Sequence, residues 1–343
     1  MHQIKNPWRG VGLSDASMAD VPTPSVDAKG SEALIRRCLS PEETPLVSVS
    51  GFGPQLWVKD ERGRMGLGSF KAFGAAYVIA HQGEATGADD LSVALSGRTY
   101  VTASAGNHGL SVAAGARRFG ARSVVYLAQT VPEDFAKRLR DEGAEVVREG
   151  ADYEASMAGA AKAADDNGWT LLSDSSWPGY FELPHRLMEG YLTMAAEAAR
   201  QMPQAPTHIM LQAGVGGLAG ACAAYFRQVW GDGPQIVVVE PEFAPALMDS
   251  IEAGKSVVSS GPVSNMGRLD CKEPSLIALK GLARDADSFV TITEEDATAI
   301  LPELSALGLA TSQSGGAGLA ACKLMQLGAG ARVLCILSEG PDA

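Results

Sequence analysis

Residues 208–220 read HIMLQAGVGGLAG, an apolar run followed by a glycine-rich turn and the start of an alanine-rich segment. The apolar run predicts a buried strand, and the glycines let the backbone approach a ligand closely before a helix begins. The first N–H groups of a helix have no partner within the helix and attract phosphate. This stretch therefore predicts a strand–turn–helix unit of an α/β fold, with a phosphate site at the turn.

The same alternation of short β-branched runs and longer alanine-rich segments extends along the chain. Strands are predicted at 56–59, 100–103, 123–127, 145–148, 170–172, 208–212, 235–240, 289–292 and 332–337. Helices are predicted at 69–81, 107–119, 132–142, 153–167, 183–201, 217–230, 244–253, 294–307 and 316–327. The alternation predicts an α/β protein with mostly parallel, open sheets covered by helices.

The composition is that of a globular protein with about two domains. Its 343 residues are 46% hydrophobic and 20% charged, which allows a large buried core. The formal net charge of −12 would repel nucleic acid and anionic membrane surfaces, so neither is expected as a partner. Five scattered cysteines and the lack of an apolar signal region favour a reducing cytoplasm. No spacing of histidine, cysteine or carboxylate residues predicts a metal site.

Lys71 lies at the start of a predicted helix, in the segment GLGSFK at 66–71, and is followed by small and apolar residues. Loss of hydration in such a setting lowers the pKa of a lysine, and the neutral amine is a nucleophile. Lys71 is therefore a candidate for a Schiff base with an aldehyde cofactor. The alternative is an ordinary lysine whose head group reaches solvent along an apolar surface.

Three polar side chains come directly after predicted strands. Asn107 lies in TASAGNHG at 102–109, where small residues admit a ligand and the amide can donate to a phenolic oxygen. Ser338 ends the last strand, at the sheet edge where ligands of doubly wound sheets bind. Asp174 lies among hydroxyls and aromatic rings, an environment that suits an acid or base. The alternatives are a helix cap, a strand-end cap and an Asx-turn, respectively.

The glycine-rich turn also matches a second class of enzyme. Gly214, Gly216 and Ala219 satisfy the dinucleotide pattern G-x-G-x-x-A, and Glu240 ends the next predicted strand. A nicotinamide-dependent dehydrogenase is therefore an alternative hypothesis. It explains neither Lys71 nor the asparagine segment.

Together and in this order, these segments resemble the fold-type II pyridoxal-phosphate enzymes, the tryptophan synthase β-subunit superfamily. Within it they are similar to the diaminopropionate ammonia-lyases. The similar segments are KDE-x-x-RMGL at 59–67, D-x-x-W-x-GY at 174–180, QAGVG at 212–216, EP at 240–241 and C-x-EP at 271–274. The resemblance covers nearly the whole chain. It implies a large domain formed by 1–82 and 181–343, a small domain formed by 83–180, and a homodimer.

The resemblance also implies a role for each matching residue. Lys71 would form the Schiff base and move the α-proton of the substrate, and Asp174 would be the second catalytic residue. Pyridoxal 5′-phosphate would be bound by Phe70, Lys71, Asn107, Gly214, Val215, Gly216, Gly217, Leu218 and Ser338. The substrate would be bound by Ser104, Ala105, Gly106, Asn107 and His108. In these roles Asn107 bonds the 3′-oxygen of the cofactor, residues 214–218 hold its phosphate, and Ser338 bonds its ring nitrogen.

Ala105 departs from the pattern of the ammonia-lyases, which carry an aspartate at this position that is associated with the D-isomer. Serine and threonine dehydratases instead show the Ser-Ala-Gly-Asn-His form. The implied activity is β-elimination on a small L-amino acid such as 2,3-diaminopropionate, which yields a 2-oxo acid and ammonia. The alternatives are a serine/threonine or 3-hydroxyaspartate dehydratase, and a protein that binds pyridoxal phosphate without turnover.

Overall fold

The computed structural model describes residues 1–39 and 41–341. The strands are β1 (His2–Lys5), β2 (Leu46–Val49), β3 (Gln55–Asp60), β4 (Thr99–Ala103), β5 (Arg122–Leu127), β6 (Glu145–Arg148), β7 (Thr170–Leu171), β8 (His208–Gln212), β9 (Gln235–Pro241), β10 (Ser288–Ile292) and β11 (Arg332–Leu337). The helices are α1 (Ala28–Cys38), α2 (Ala75–Glu84), α3 (Asn107–Arg118), α4 (Glu133–Asp141), α5 (Tyr153–Asn167), α6 (Glu182–Gln201), α7 (Gly217–Trp230), α8 (Ala246–Ala253), α9 (Leu276–Asp285), α10 (Glu294–Ala299), α11 (Leu301–Ala306) and α12 (Gln313–Leu324). Short 3₁₀ helices span Ala16–Met18, Glu61–Gly66, Phe70–Phe73 and Leu91–Val93.

The described strands form two sheets. The larger has the order β1-β10-β9-β8-β11-β3-β2, and its edge strands β1 and β2 pair antiparallel with their neighbours. The other pairs in this sheet are parallel. The smaller sheet has the order β6-β5-β4-β7 and is parallel throughout its described pairs. The predicted α/β fold with mostly parallel sheets is confirmed.

Apolar helices bury both faces of the larger sheet. One core contains side chains of α6, α7 and α9 together with those of β8 and β9, and the core on the other face contains those of α12. Strands buried on both faces form continuous apolar runs, which is why β8 to β11 were predictable from sequence. Among the described helices, none has the length and hydrophobicity that crossing a membrane requires.

The carboxyl ends of the central strands meet at one edge. β11 pairs with β3 in a register that places Leu337 beside Asp60, and β8 lies on the other side of β11. The segments that follow these strands contain Ser338, Lys71 and the glycine-rich turn, so parallel pairing brings distant parts of the sequence together. The division into a large and a small domain with boundaries at 82/83 and 180/181 stays a prediction.

The differences from the predicted elements have local causes. The predicted helix at 69–81 begins instead as a 3₁₀ turn, Phe70–Phe73, which is separated from α2 by Gly74. The predicted helix at 294–307 is divided into α10 and α11, and Pro302 lies in the first turn of α11. Proline cannot donate the backbone hydrogen bond that a continuous helix requires. The short edge strands β1 and β2 and the helices α1 and α9 were not predicted.

A buried cluster of charged side chains anchors the chain just before Lys71. Arg64 donates to Glu61 Oε2 at 2.8 Å and to Glu197 Oε1 at 3.0 Å. Lys59 Nζ donates to Glu197 Oε2 at 2.7 Å and to the Thr44 carbonyl at 2.7 Å. All four charged side chains are at most 3% exposed, and two cations balance two carboxylates. The cluster joins β3, α6 and the 3₁₀ helix that leads to the Lys71 segment.

Glu240 is the penultimate residue of β9, and its buried side chain caps α8. Its two carboxylate oxygens accept hydrogen bonds from the backbone N–H groups of Leu247 at 2.7 Å and Met248 at 2.8 Å, in the first turn of α8. Burial raises the pKa of Glu240 to about 8, although these two bonds act in the opposite direction. Because the carboxylate is fully buried and bonded to the chain itself, Glu240 does not offer the ribose contact that the dehydrogenase hypothesis requires.

Replacing Glu240 by glutamine is expected to flatten the pH dependence of stability. The folded-state pKa of about 8 lies above the ordinary value of 4.5. The folded protein thus keeps a proton that the unfolded chain loses, and the free energy of unfolding falls as pH rises between the two values. In the variant, the free energy of unfolding should no longer decrease with pH in this range. In the parent protein the decrease is up to about 1.4 kcal/mol per pH unit. Urea unfolding at several pH values from about 5 to 8 measures it.

Glutamine also places an amide N–H₂ against a backbone N–H, so the variant should be less stable than the parent at low pH. The matched control is Glu242→Gln, since Glu242 is exposed. The control should keep the slope of the parent protein. Equal slopes in the parent and in Glu240→Gln would contradict the assignment.

Candidate active site

Lys71 lies in the 3₁₀ turn after β3 and forms an ion pair with Asp174, which follows β7 of the smaller sheet. Lys71 Nζ donates to Asp174 Oδ2, and the two side chains are 22% and 20% exposed. The structure thus joins two predicted catalytic residues that are 103 positions apart in sequence. The pair lies between the two sheets and retains access to solvent.

The electrostatic state of Lys71 differs from the sequence expectation. Burial alone lowers the pKa of the Lys71 ammonium, as expected, but the Asp174 carboxylate outweighs it and the pKa is raised. Burial likewise raises the pKa of Asp174, and Lys71 reverses this to leave it well below its ordinary value. The expectation of a lowered pKa was wrong because the sequence does not show that a carboxylate contacts the amine. In this state the pair is an ammonium and a carboxylate.

Aromatic rings and a close helix contact fix the Lys71 turn. The rings of Phe70 and Tyr191 are 4.9 Å apart and tilted by 58°. On the same helix as Tyr191, α6, a Cβ added at Gly190 would lie 2.0 Å from the Phe73 carbonyl oxygen. Only glycine permits this approach, so α6 packs directly on the turn that carries Lys71. Tyr191 OH is buried and has no hydrogen-bond partner among the described residues.

Asn107 begins α3, and its amide bonds across to the larger sheet. Asn107 Nδ2 donates to Glu339 Oε2 at 2.7 Å, and Glu339 follows Ser338 directly after β11. Asn107 Oδ1 is buried without a hydrogen-bond partner in the described part of the chain. The Ser338 carbonyl accepts a hydrogen bond from the Phe70 N–H at 3.0 Å. Three predicted cofactor-binding residues, Phe70, Asn107 and Ser338, thus lie around the Lys71 turn.

The segment 104–108 is held by its own side chains. Ser104 Oγ accepts hydrogen bonds from the N–H groups of Gly106 at 3.2 Å and Gly109 at 3.1 Å. His108 Nε2 donates to the Leu172 carbonyl at 2.8 Å, and burial lowers the pKa of His108. Ala105 packs against an apolar cluster of the smaller sheet. Ser104 and His108 therefore shape the segment, and its backbone is the part that suits a substrate carboxylate.

The glycine-rich turn leads into α7 as predicted. Gly216 has φ +97°, and a Cβ there would lie 2.9 Å from Ala278 Cβ. No side chain in the described residues caps the first turn of α7, so its N–H groups suit an anion. Tyr191 connects this turn to the lysine, since its ring also lies 3.7 Å from the position of a Cβ on Gly217. Gly214 and Val215 lie in the turn between β8 and α7, and Leu218 lies in the first turn of α7.

Sequence reasoning missed several residues of this region. Tyr191 and Glu339 are in contact with predicted site residues, and Arg268 packs against Gly106, where a Cβ would lie 3.1 Å from Arg268 Cδ. Glu339 directly follows the predicted cofactor-binding residue Ser338, and Arg268 lies three positions before the C-x-EP segment at 271–274. For Tyr191 the sequence contains no signal, because it lies in the middle of α6.

A family model for pyridoxal-phosphate dependent enzymes matches residues 39–339. The chain therefore belongs to the pyridoxal-phosphate-dependent enzymes, and pyridoxal 5′-phosphate is its cofactor. This membership excludes the dehydrogenase hypothesis and confirms the resemblance found from sequence.

Comparison with individual proteins shows which pyridoxal-phosphate-dependent enzymes this chain is similar to. Diaminopropionate ammonia-lyase of Salmonella typhimurium is 31% identical over 274 residues, which are 72% of this chain and 68% of that protein. The enzyme of the same name from Escherichia coli K12 is 32% identical over 269 residues, 72% of this chain and 67% of its own. A crystal structure of the Escherichia coli enzyme, in complex with an aminoacrylate-PLP azomethine reaction intermediate, superposes with a TM-score of 0.86. It is 27% identical and covers 99% of this chain and 93% of its own.

The residues present fit pyridoxal phosphate. The uncapped first turn of α7 offers N–H donors for a phosphate. Beside Lys71, three buried polar atoms have no hydrogen-bond partner among the described residues: Ser69 Oγ, Asn107 Oδ1 and Tyr191 OH. Buried polar groups are rarely left unpaired unless a ligand or water completes them. The Lys71 amine, the N–H groups of α7 and the unpaired polar atoms are the kinds of group that bind the aldehyde, the phosphate and the ring substituents of pyridoxal phosphate.

Proposed function

We propose that this chain catalyses β-elimination on a small L-amino acid such as 2,3-diaminopropionate, releasing a 2-oxo acid and ammonia. The observation that carries the proposal is the Lys71–Asp174 pair between the two sheets, beside the turn that suits a phosphate. The similarity to diaminopropionate ammonia-lyases supports the choice of reaction. When bound, pyridoxal phosphate supplies an electron sink for the carbanion that loss of the α-proton would create.

We assign the cofactor-binding roles to the residues around the Lys71 turn. Lys71 would hold the cofactor covalently through its amine, with Phe70 and Asn107 beside the ring and Ser338 at the ring nitrogen. Gly214, Val215, Gly216, Gly217 and Leu218 would bind the phosphate through backbone N–H groups. A neutral hydroxyl such as that of Ser338 does not force protonation of the ring nitrogen, which favours elimination over transamination.

The Lys71–Asp174 pair accounts for the proton transfers. After the substrate releases it from the cofactor, the Lys71 amine accepts the α-proton. The Asp174 carboxylate, which raises the pKa of Lys71, stabilises the ammonium that results. The pair then holds the proton that a departing β-amino or β-hydroxyl group requires. The aromatic contact between Phe70 and Tyr191 keeps the turn that carries Lys71 in place.

The substrate carboxylate is assigned to the segment of Ser104, Ala105, Gly106, Asn107 and His108. Because Ala105 carries no proton-transferring group, the L-isomer, whose α-proton Lys71 would accept, is the proposed substrate. The same residue favours a second candidate function, a serine/threonine or 3-hydroxyaspartate dehydratase. The two candidate functions differ in the group that leaves the β-carbon, which is an amino group in diaminopropionate and a hydroxyl group in the dehydratase substrates.

We also propose that the protein is a cytoplasmic homodimer with a large domain of residues 1–82 and 181–343 and a small domain of residues 83–180. The location rests on cysteines that are free among the described residues, as is usual in a reducing compartment. The dimer rests on the family resemblance. The domain division is supported by the two sheets, which use strands from these separate parts of the chain.

A substrate panel tests the proposal. The holoenzyme is assayed for 2-oxo acid release from the D- and L-isomers of 2,3-diaminopropionate, serine, threonine and 3-hydroxyaspartate. L-2,3-diaminopropionate is expected to have the highest kcat/KM. D-isomers should be slower by at least about a hundredfold, because one proton-transferring group is absent from their side of the site.

Equal activity on both isomers of diaminopropionate would contradict the role given to Ala105. A preference for a hydroxyl leaving group would assign the protein to the dehydratases. Cofactor binding without 2-oxo acid release from any compound would contradict β-elimination and favour a binding protein.

A further inference from the structure

Glu339 is a buried carboxylate that joins three parts of the site. Its side chain is 3% exposed and lies directly after β11. One oxygen accepts from Asn107 Nδ2 at 2.7 Å and the other from Ser312 Oγ. Its backbone forms a β-bridge with Ser69, two residues before Lys71. Asn107 follows a strand of the smaller sheet, whereas Glu339 follows a strand of the larger sheet and Ser312 caps α12, which packs on that sheet, so the carboxylate links the two.

The bond to Glu339 determines how the Asn107 amide is oriented. An amide group is planar and carries two N–H donors and one acceptor oxygen. Once one N–H is directed at Glu339, the plane of the group and the directions of the second N–H and of Oδ1 are set. Oδ1 is buried and lacks a hydrogen-bond partner within the described residues, so it is aimed at space that chain atoms do not occupy.

The environment of Glu339 favours a hydrogen-bonding role. Burial raises the pKa of Glu339, whereas the hydrogen bond from Ser312 and the nearby cations Arg268 and Lys71 oppose this rise. Ser312 Oγ is itself fixed, because it accepts from the Gly315 N–H at 2.9 Å and caps α12. A carboxylate held on both oxygens has one orientation.

We propose that Glu339 is a positioning residue that fixes the Asn107 amide against the ring of the bound cofactor. This inference rests on the proposed role of Asn107. Its consequence is that Glu339 affects cofactor affinity and the visible spectrum through Asn107 and through hydrogen bonding, with no requirement for its negative charge.

The experiment compares Glu339→Met, which removes the hydrogen bonds, with Glu339→Gln, which can still accept from Asn107. The dissociation constant of pyridoxal phosphate and the position of its visible absorption band are measured for both variants. The values of kcat and KM are then measured on the same proteins. Thermal unfolding of the cofactor-free proteins establishes that each is folded. The matched control is Glu303→Met, because Glu303 forms a partly exposed ion pair with Lys323.

Glu339→Met is expected to weaken cofactor binding by at least about tenfold and to shift the band, since the hydrogen bond that orients the Asn107 amide is lost. Glu339→Gln should stay within about threefold of the parent. In an Asn107→Ala background, Glu339→Met should have an effect of less than about threefold, because residues that act through one another are not additive.

Three results would overturn the proposal: unchanged binding and spectrum in a folded Glu339→Met, equal impairment in Glu339→Gln, or full additivity with Asn107→Ala. Cofactor binding is measured without substrate. The proposal can therefore fail while β-elimination stands, and loss of β-elimination with normal cofactor binding would leave the positioning of Asn107 unaffected.

Discussion

Lys71→Ala is expected to abolish 2-oxo acid release, by at least about a thousandfold, and to remove the visible absorption that depends on a covalent link to the cofactor. The reason is that the Lys71 amine is assigned two tasks, holding the cofactor and accepting the α-proton. The alanine side chain also leaves Asp174 without its ion-pair partner, which affects the stability of the folded site. Activity, absorption and thermal unfolding are therefore measured on the same preparations.

The variant Lys71→Arg distinguishes the positive charge of Lys71 from the reactivity of its amine. Arginine keeps a cation beside Asp174, but its guanidinium does not lose a proton in proteins and cannot act as the amine. The account predicts that this variant is folded and as inactive as Lys71→Ala. Lys255→Ala, at an exposed lysine, serves as the control and should retain full activity. Substantial turnover by either Lys71 variant would show that another group accepts the proton.

The second large effect is expected on stability. Arg64→Met should lower the free energy of unfolding by about 3–5 kcal/mol, because it leaves the buried carboxylates of Glu61 and Glu197 with Lys59 as their remaining cation. The guanidinium also lies 4.3 Å from the centre of the Phe73 ring, and this contact is lost as well. Urea unfolding of parent and variant measures the difference.

Two further variants sharpen this test. Arg64→Met combined with Glu61→Gln restores charge balance, and should recover part of the lost stability since the two residues interact directly. Arg37→Met removes an ion pair that is about half exposed, and should cost less than about 1 kcal/mol. An equal cost for Arg64→Met and Arg37→Met would contradict the view that the buried cluster anchors the Lys71 segment.

The central sheet could be predicted from sequence because its strands are buried on both faces. β8 and β11 were predicted with their observed bounds, 208–212 and 332–337, since each is a continuous apolar run. The edge strands β1 and β2 were missed because they are short and partly exposed, so their formation depends on pairing with a distant strand. Periodicity reports burial along one segment and contains no information about pairing.

The site was predictable where its residues follow strands. Lys71, Asn107, Asp174 and the glycine-rich turn lie in segments of unusual composition after predicted strands, and the fold brings them to one region. Glu339 was missed although it adjoins Ser338, because its contact with Asn107 spans 232 positions of sequence. The same reason explains the error in the pKa of Lys71, whose partner Asp174 is 103 positions away. Electrostatic environment is set by such long-range contacts.

The ratio of ammonia to 2-oxo acid released from L-2,3-diaminopropionate by the holoenzyme shows whether the reaction is β-elimination. β-Elimination expels the β-amino group as one ammonia, and hydrolysis of the resulting unsaturated amine releases a second ammonia with the 2-oxo acid. The account predicts two ammonia molecules for each 2-oxo acid. A ratio of one, or no 2-oxo acid from a holoenzyme with its cofactor bound, would contradict it.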